Sequence, residues 1–215
     1  MTQNVSFIFK KKSSEPTLPT GDDFSTGIDN WTTEVSDADA AIDWYQNNSM
    51  RIAINAGSNS TEDDWGRATW NYTLSEDWDV EVGYQLLSGN FEPYHMDLRM
   101  MVSGTAVDQV VIMWVNQGLG MRAYWYDGSV HEDGYYATRP NGYDENLRLR
   151  MTKVGGTFTT YHDPGTGSWT LVKQFSIPAF ANSSFKPRIQ AQRQGPTTSI
   201  TAKFDNLVIN SGTVS

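Results

Sequence analysis

The chain has 215 residues, no cysteine and a formal net charge of −9. The length suits one domain, and the lack of cysteine excludes disulfide frameworks, cysteine zinc sites, iron–sulfur clusters and thiol catalysis. Residues 1–20 carry a charge of +2, which leaves −11 for residues 21–215. An acidic body with one small basic arm argues against a nucleic-acid partner. The sequence contains no apolar run of about 18 residues, so no membrane span is predicted. At the N-terminus the lysines follow the short apolar stretch, whereas in a signal peptide they precede it.

Alternating apolar residues predict β-strands along most of the chain. In residues 78–86 (WDVEVGYQL) every second residue is apolar or aromatic, which is typical of a strand with one buried face. Residues 109–116 (QVVIMWVN) are apolar almost throughout and predict a central strand that is buried on both faces. A short helical turn is predicted between Asp37 and Tyr45 alone. The pattern predicts further strands at residues 68–74, 98–102, 121–126, 147–151, 157–161, 168–174, 185–193 and 199–209.

Turn signals separate these runs and set the fold class. Gly155-Gly156 predicts a tight hairpin, and residues 163–167 (DPGTG) predict the next turn. About a dozen short strands divided in this way predict an all-β protein, an antiparallel β-sandwich or jelly roll over residues 21–215. Residues 1–20 hold one short apolar stretch, then lysines and two prolines, and predict an extended N-terminal arm and linker outside that domain.

From Gly21 onward the sequence resembles the concanavalin A-like lectin/glucanase superfamily, and more narrowly its laminin-G-like and carbohydrate-binding jelly rolls. The resemblance implies a sandwich in which the first and last strands lie side by side. It implies architecture more than activity, because one fold hosts many functions. It rests on residues 22–25 (DDFS) with Trp31, residues 147–158 (LRLRMTKVGGTF), residues 167–172 (GSWTLV) and residues 204–209 (FDNLVI).

Glucanases of this superfamily carry closely spaced carboxylates on one strand, of the form Glu-x-Asp-x-x-Glu. Glycoside hydrolysis needs two carboxyl groups that face one bond. Glu81 is flanked by the apolar residues Val80 and Val82. The alternate positions after Asp97 hold Arg99 and Met101, which are not acidic. The remaining acidic clusters fall in segments that look like turns, where they read as solvated loop charge. The sequence therefore predicts that the protein is not an enzyme.

A structural calcium ion is a candidate cofactor, because jelly-roll binding modules often hold one between their first and last strands. Calcium takes several carboxylate and carbonyl oxygens. Asp22, Asp23 and Asp205 lie at the matching places in the sequence. The alternative is that Asp22 and Asp23 form a turn and that Asp205 ends a strand pairing. No other cofactor is predicted.

Strand alternation also predicts a polar sheet face rich in arginine. Arginine forks bind carboxylates, sulfates or polar rims in fixed geometry, and aromatic rings suit the apolar faces of sugars. The alternative is a solvated face whose arginines pair with Glu81 and acidic loops. The polar positions assigned to this single face are Glu81, Gln85, Arg99, Arg122, Tyr124, Arg148, Arg150, Arg188, Gln190 and Gln192. The predicted glycan-binding residues are Arg99, Trp114, Arg122, Tyr124, Tyr126, Arg148 and Arg150.

These observations favour a non-catalytic, lectin-like surface module. The basic arm suggests a decoration or fibre-type structural protein of a virion- or phage-like particle, oligomeric in that setting and exposed on its surface after assembly. The alternatives are a free carbohydrate-binding module and a glycoside hydrolase or lyase of the glucanase-like class. The residues predicted to dock the arm to its assembly are Phe7, Phe9, Lys10, Lys11 and Lys12.

Overall fold

A computed structural model describes residues 18, 20–36, 38–46, 48–56, 63–89, 94–115, 120–131, 135–138, 140–194 and 199–215. Within these ranges the regular structure consists of β-strands and one 3-10 helix, Pro178–Phe180. None of these residues belongs to a helix that is long and apolar enough to cross a membrane. The arm residues 7–12 lie outside the described residues.

The strands confirm the all-β prediction and are numbered in chain order. They are β1 Gly21–Asp22, β2 Trp31–Val35, β3 Ala40–Tyr45, β4 Ser49–Ile54, β5 Asp63–Trp70, β6 Leu74–Ser88, β7 Tyr94–Val102, β8 Gln109–Val115, β9 Gly120–Tyr126, β10 Val130–His131, β11 Tyr135–Thr138, β12 Leu147–Val154, β13 Thr157–Asp163, β14 Thr170–Ser176, β15 Phe185–Gln194 and β16 Ile200–Val214.

Antiparallel pairing arranges these strands in two layers. Sheet I has the order β2-β5-β15-β7-β8-β9, with β10 and β11 both on the far edge of β9. Sheet II has the order β3-β4-β16-β6-β12-β13-β14, with β1 on β16. The pair Phe185–Leu74 joins the two sheets, so the hydrogen bonding is continuous between them. Because β1 pairs with β16, the first and last strands lie side by side, as the resemblance implies.

The hydrophobic core lies between the two sheets, where β12 packs against β8 and β3 against β5. Leu147, Leu149 and Met151 point inward from β12 and are fully buried, while the residues between them face outward. Trp78 meets the rings of Phe158 and Phe185 edge-on, with centroids 6.0 and 5.4 Å apart. Each such buried side chain contributes roughly 1.5–3 kcal/mol of hydrophobic stabilisation.

Strand β8 is buried on both faces, as predicted. Its inward residues join the main core, whereas Val111, Met113 and Val115 form a second apolar cluster with Tyr124 on the outer side of sheet I. The outer side of sheet I is thus apolar along β8 and polar on the strands to one side of it.

Two local predictions are wrong. The residues from Ala40 to Tyr45 form β3 rather than a helical turn, because every one of them pairs with β4 in a hairpin. The run at residues 68–74 is interrupted, since β5 ends at Trp70 and β6 begins at Leu74. The turns predicted at Gly155-Gly156 and at residues 163–167 are confirmed between β12, β13 and β14.

Candidate functional site

The outer face of sheet I, which is the side turned away from sheet II, carries its polar side chains in rows across the strands. Neighbouring strands lie about 4.8 Å apart, so adjacent residues in a row contact each other. From β5 through β15 and β7 to β8, the three rows are Thr69, Arg188, Arg99, Val111; then Arg67, Gln190, Asp97, Met113; then Trp65, Gln192, His95, Val115. On β9, Tyr124 continues the first row and Arg122 continues the second.

Asp97 occupies the centre of this face and is fully buried. Arg99 binds it with both arms of its guanidinium, Nε to Oδ1 at 2.8 Å and Nη2 to Oδ2 at 2.8 Å. His95 Nε2 lies 3.2 Å from Oδ2, although not in the geometry of a hydrogen bond. Burial by itself raises the pKa of Asp97, but the charge and hydrogen bonds of Arg99, together with His95, outweigh it and lower the pKa.

The carboxylates on the described strands of this face are all engaged. Asp97 is held by Arg99, and Glu34 at the sheet edge accepts the Nε of Arg67 at 2.7 Å. A retaining or inverting hydrolase needs a pair of carboxyl groups, one on each side of the bond that is cleaved. The described part of the outer face of sheet I presents no such pair.

Arg188 differs from the other arginines of this face. Its Nε donates to Thr69 Oγ1 at 2.8 Å, and it makes no ion pair with any described residue. Partial burial lowers its pKa to about 10; the nearby positive charges of Arg67 and Arg99 add to that effect, and the carboxylates of Glu34 and Asp97 oppose it. A guanidinium in this position stays charged at neutral pH while its Nη donors remain available to a ligand.

One edge of the face adds an aromatic surface. Trp65 on β5 is half-buried, and the guanidinium of Arg67 lies 4.1 Å from the centroid of its ring. Neither residue is among those predicted from the sequence. The signal that could have found them is the alternation of β5, where Ala68 and Trp70 are buried and the residues between them face outward.

No protein-family model matches the sequence, and no curated protein matches it. A lichenase, a β-1,3-1,4-glucanase derived from a mouse hindgut metagenome, superposes with a TM-score of 0.64 and 11% identity over 88% of this chain and 96% of its own. The carbohydrate-binding module CBM66 from Bacillus subtilis gives a TM-score of 0.55 and 15% identity over 85% and 96%. Lectin UEA-II, complexed with galactose, gives 0.51 and 8% over 82% and 92%.

The chain has the concanavalin A-like jelly-roll fold. At these identities the superpositions establish the fold alone. Within this jelly roll, Arg99, Arg122, Tyr124 and Tyr126 all lie on the outer face of sheet I, as predicted for a shared face. Arg122 lies 5.7 Å from the ring centroid of Tyr124.

Arg148 and Arg150 do not lie on that face, which corrects the single-face arrangement. They belong to β12 and lie on the outer face of sheet II, on the opposite side of the jelly roll. Arg148 pairs with Glu81 at 2.7 Å, and Arg150 Nε binds Asp79 Oδ1 at 2.8 Å. Alternation assigns a side chain to the inside or the outside of its own sheet, and a sandwich has two outsides.

Trp114 is also misplaced in the predicted set, since it lies on the inner side of β8 with 2% of its surface exposed. Its indole N–H donates to the Pro140 carbonyl at 2.8 Å. The ring packs so closely on Gly142 that a Cβ there would lie 2.4 Å from it. Trp114 therefore holds the segment around residue 140 against the core rather than facing a ligand.

The three aspartates predicted to hold calcium lie in two different cavities of the jelly roll. The carboxylate of Asp22 accepts the backbone N–H of Phe24 at 2.7 Å and the indole N–H of Trp31 at 2.9 Å. Asp23 forms a local turn, while Asp205 packs over Gly83 and lies 3.3 Å from the Lys203 ammonium. No cluster of His, Asp or Glu suited to a metal occurs in the described part of the chain. A calcium ion stays a prediction, and these contacts give it no support.

Proposed function

We propose that this protein binds carbohydrate on the outer face of sheet I and does not cleave it. The observation that carries the proposal is the placement of Arg188 and Gln192 on the outer side of β15, beside the half-buried ring of Trp65. Gln190 between them is buried and donates its amide to Gln192 Oε1 at 2.9 Å, so it orients Gln192. Amide and guanidinium groups hydrogen-bond sugar hydroxyls, and an aromatic ring packs on the apolar face of a sugar.

The comparisons support this choice of ligand class. A galactose-complexed lectin, a carbohydrate-binding module and a β-glucan hydrolase share the jelly-roll fold. Binding without hydrolysis is favoured because Asp97 is buried and fully bonded to Arg99, which leaves it unable to act as nucleophile or as acid.

Glycan binding tests the proposal, with two tryptophans as a matched pair. Trp65 lies on the outer face of sheet I, whereas Trp44 on β3 of sheet II is 51% exposed. We expect Trp65→Ala to weaken binding to glycans found on an array by about tenfold or more, since an aromatic anchor of a binding site contributes about 1.4 kcal/mol or more.

Trp44→Ala serves as the control and is expected to keep the wild-type affinity. Equal losses in both variants, or none in Trp65→Ala, contradict the location of the site. An array without any bound glycan contradicts the function. Release of reducing ends from β-glucan, if observed with the purified protein, would contradict the non-catalytic assignment.

The particle role predicted from the sequence depends on residues 1–20 and stays a prediction. Thr20 accepts a hydrogen bond from the Ile209 N–H at 2.8 Å, so a truncation should spare it. Removal of residues 1–17 is expected to leave the melting temperature of the jelly roll unchanged and to abolish co-purification with a particle. Co-purification of the truncated form would refute the docking role of the arm.

A further inference from the structure

We infer that the carbohydrate bound on the outer face of sheet I is acidic, and that Arg188 binds its carboxylate or sulfate group. This inference rests on the proposed function and specifies its ligand class. It follows from the charges on β15 and on the two strands beside it.

Arg188 lacks the counter-ion that its neighbours possess. Arg99 on β7 is bound by Asp97, and Arg67 on β5 is bound by Glu34, whereas Arg188 between these strands has only the hydroxyl of Thr69 among the described residues. Partial burial removes water from a charge, and this is unfavourable unless a partner of opposite charge is present. Glu34 and Asp97 attract Arg188 without forming an ion pair with it, because each is bonded to another arginine. An anion in direct contact is therefore the partner that this point of the face lacks.

The electrostatic surroundings favour the same ligand. Arg67 and Arg99 flank Arg188, and their charges work with burial to lower the pKa of its guanidinium, although Glu34 and Asp97 partly offset them. An anion bound there reverses this effect because it stabilises the charged form. Lys186 lies two residues earlier on the same side of β15 and also makes no ion pair with described residues. Two adjacent cations on one strand suit a polyanionic chain better than a single charged sugar.

The geometry of the guanidinium favours a two-oxygen anion over a hydroxyl. With Nε bonded to Thr69, the remaining Nη donors form a fork that fits a carboxylate or a sulfate. Neutral sugar hydroxyls can accept these hydrogen bonds but cannot compensate the charge. The whole chain is acidic, with a net charge of −9, so an anionic chain is attracted only where positive side chains are locally in excess, as around Arg188.

Calorimetric titration with three oligosaccharide probes tests the inference: oligogalacturonate for the carboxylate, a sulfated galactan oligosaccharide for the sulfate, and a neutral cello-oligosaccharide. We expect the wild type to bind one anionic probe at least tenfold more tightly than the neutral one. Arg188→Met should lose at least tenfold in affinity for that probe and less than twofold for the neutral one. The anionic probe that binds more tightly shows whether the bound group is a carboxylate or a sulfate.

Two further variants separate the effect of the charge from the effects of the guanidinium geometry and of the position of the arginine. Arg188→Lys keeps the charge but not the fork and should retain intermediate affinity. Arg148→Met removes the same charge from the opposite outer face and should bind like the wild type. Preference for the neutral probe, or equal affinity of the Arg188→Met variant for the anionic one, overturns the acidic ligand while carbohydrate binding stands. If none of the probes and no glycan on the array binds, the proposed function fails with it.

Discussion

Replacement of Asp97 by alanine is expected to lower the free energy of unfolding by about 3–5 kcal/mol, because it leaves a buried charge without its partner. The side chain of Asp97 is completely buried and that of Arg99 is 12% exposed, so water cannot replace the lost carboxylate. The variant also leaves Arg99 next to Arg188 with no anion between the strands. Urea unfolding at pH 7 measures the change.

An exposed ion pair supplies the control for this measurement. Asp43 pairs with Arg51 on the outer face of sheet II, where their side chains are 44% and 37% exposed. Asp43→Ala should cost less than about 1 kcal/mol. The double variant Asp97→Leu/Arg99→Met should recover most of the stability, because it removes both charges. A loss for Asp97→Ala as small as that of Asp43→Ala would show that the central pair is not a buried one.

The pH dependence of the same pair has a defined sign. The pKa of Asp97 is lowered from 3.8 in the folded protein, so its contribution is complete above that value and is lost as the pH falls through the folded pKa. The stability difference between the wild type and Asp97→Asn should therefore still be present at pH 5. It should shrink below pH ~4. A difference that is unchanged at pH 2 would contradict the lowered pKa.

Trp78→Ala is the second substitution with a large expected effect, a loss of about 3–5 kcal/mol in the free energy of unfolding. Trp78 is 1% exposed and packs edge-on against Phe158 and Phe185, beside the place where the two sheets join. Removal of the indole leaves a cavity that two sheets held by hydrogen bonds cannot close. Thermal unfolding monitored by circular dichroism measures the loss.

Trp78→Phe distinguishes cavity formation from a lost hydrogen bond. The indole N–H of Trp78 has no hydrogen-bond partner in the described structure, so the phenylalanine variant changes only volume and ring contacts. We expect it to cost clearly less than Trp78→Ala. Trp44 is 51% exposed and its indole N–H donates to the Phe24 carbonyl at 2.8 Å, so Trp44→Ala should cost only about 1 kcal/mol. Equal effects at Trp78 and Trp44 would contradict the assignment of Trp78 to the core.

Much of the fold follows from alternation, which is a local property of the chain. The pattern at residues 78–86 and 147–151 predicts both the strands and their buried sides, and the continuous apolar run of β8 predicts a strand covered on two faces. The helical turn predicted within residues 37–45 is wrong because pairing with β4 overrides the weak local preference of that segment.

Alternation predicts only part of the candidate site. Alternation correctly turns Arg99, Arg122 and Tyr124 outward, but it turns Arg148 and Arg150 outward in the same way. Membership of a sheet is decided by hydrogen bonds between residues far apart in the sequence. For that reason the two groups of arginines, which look alike along the chain, lie on opposite sides of the jelly roll.

The sequence by itself therefore determined the class of fold, most of the inward residues (Trp114 excepted) and the absence of the spacing that glucanase carboxylates require. Only the tertiary structure decided which charges meet. It places Asp97 under Arg99, Glu34 beside Arg67, and Arg188 between them without a direct ion pair to any described residue. The reason is physical: a charge is neutralised by what lies a few ångströms away in space, and on a sheet those neighbours come from other strands.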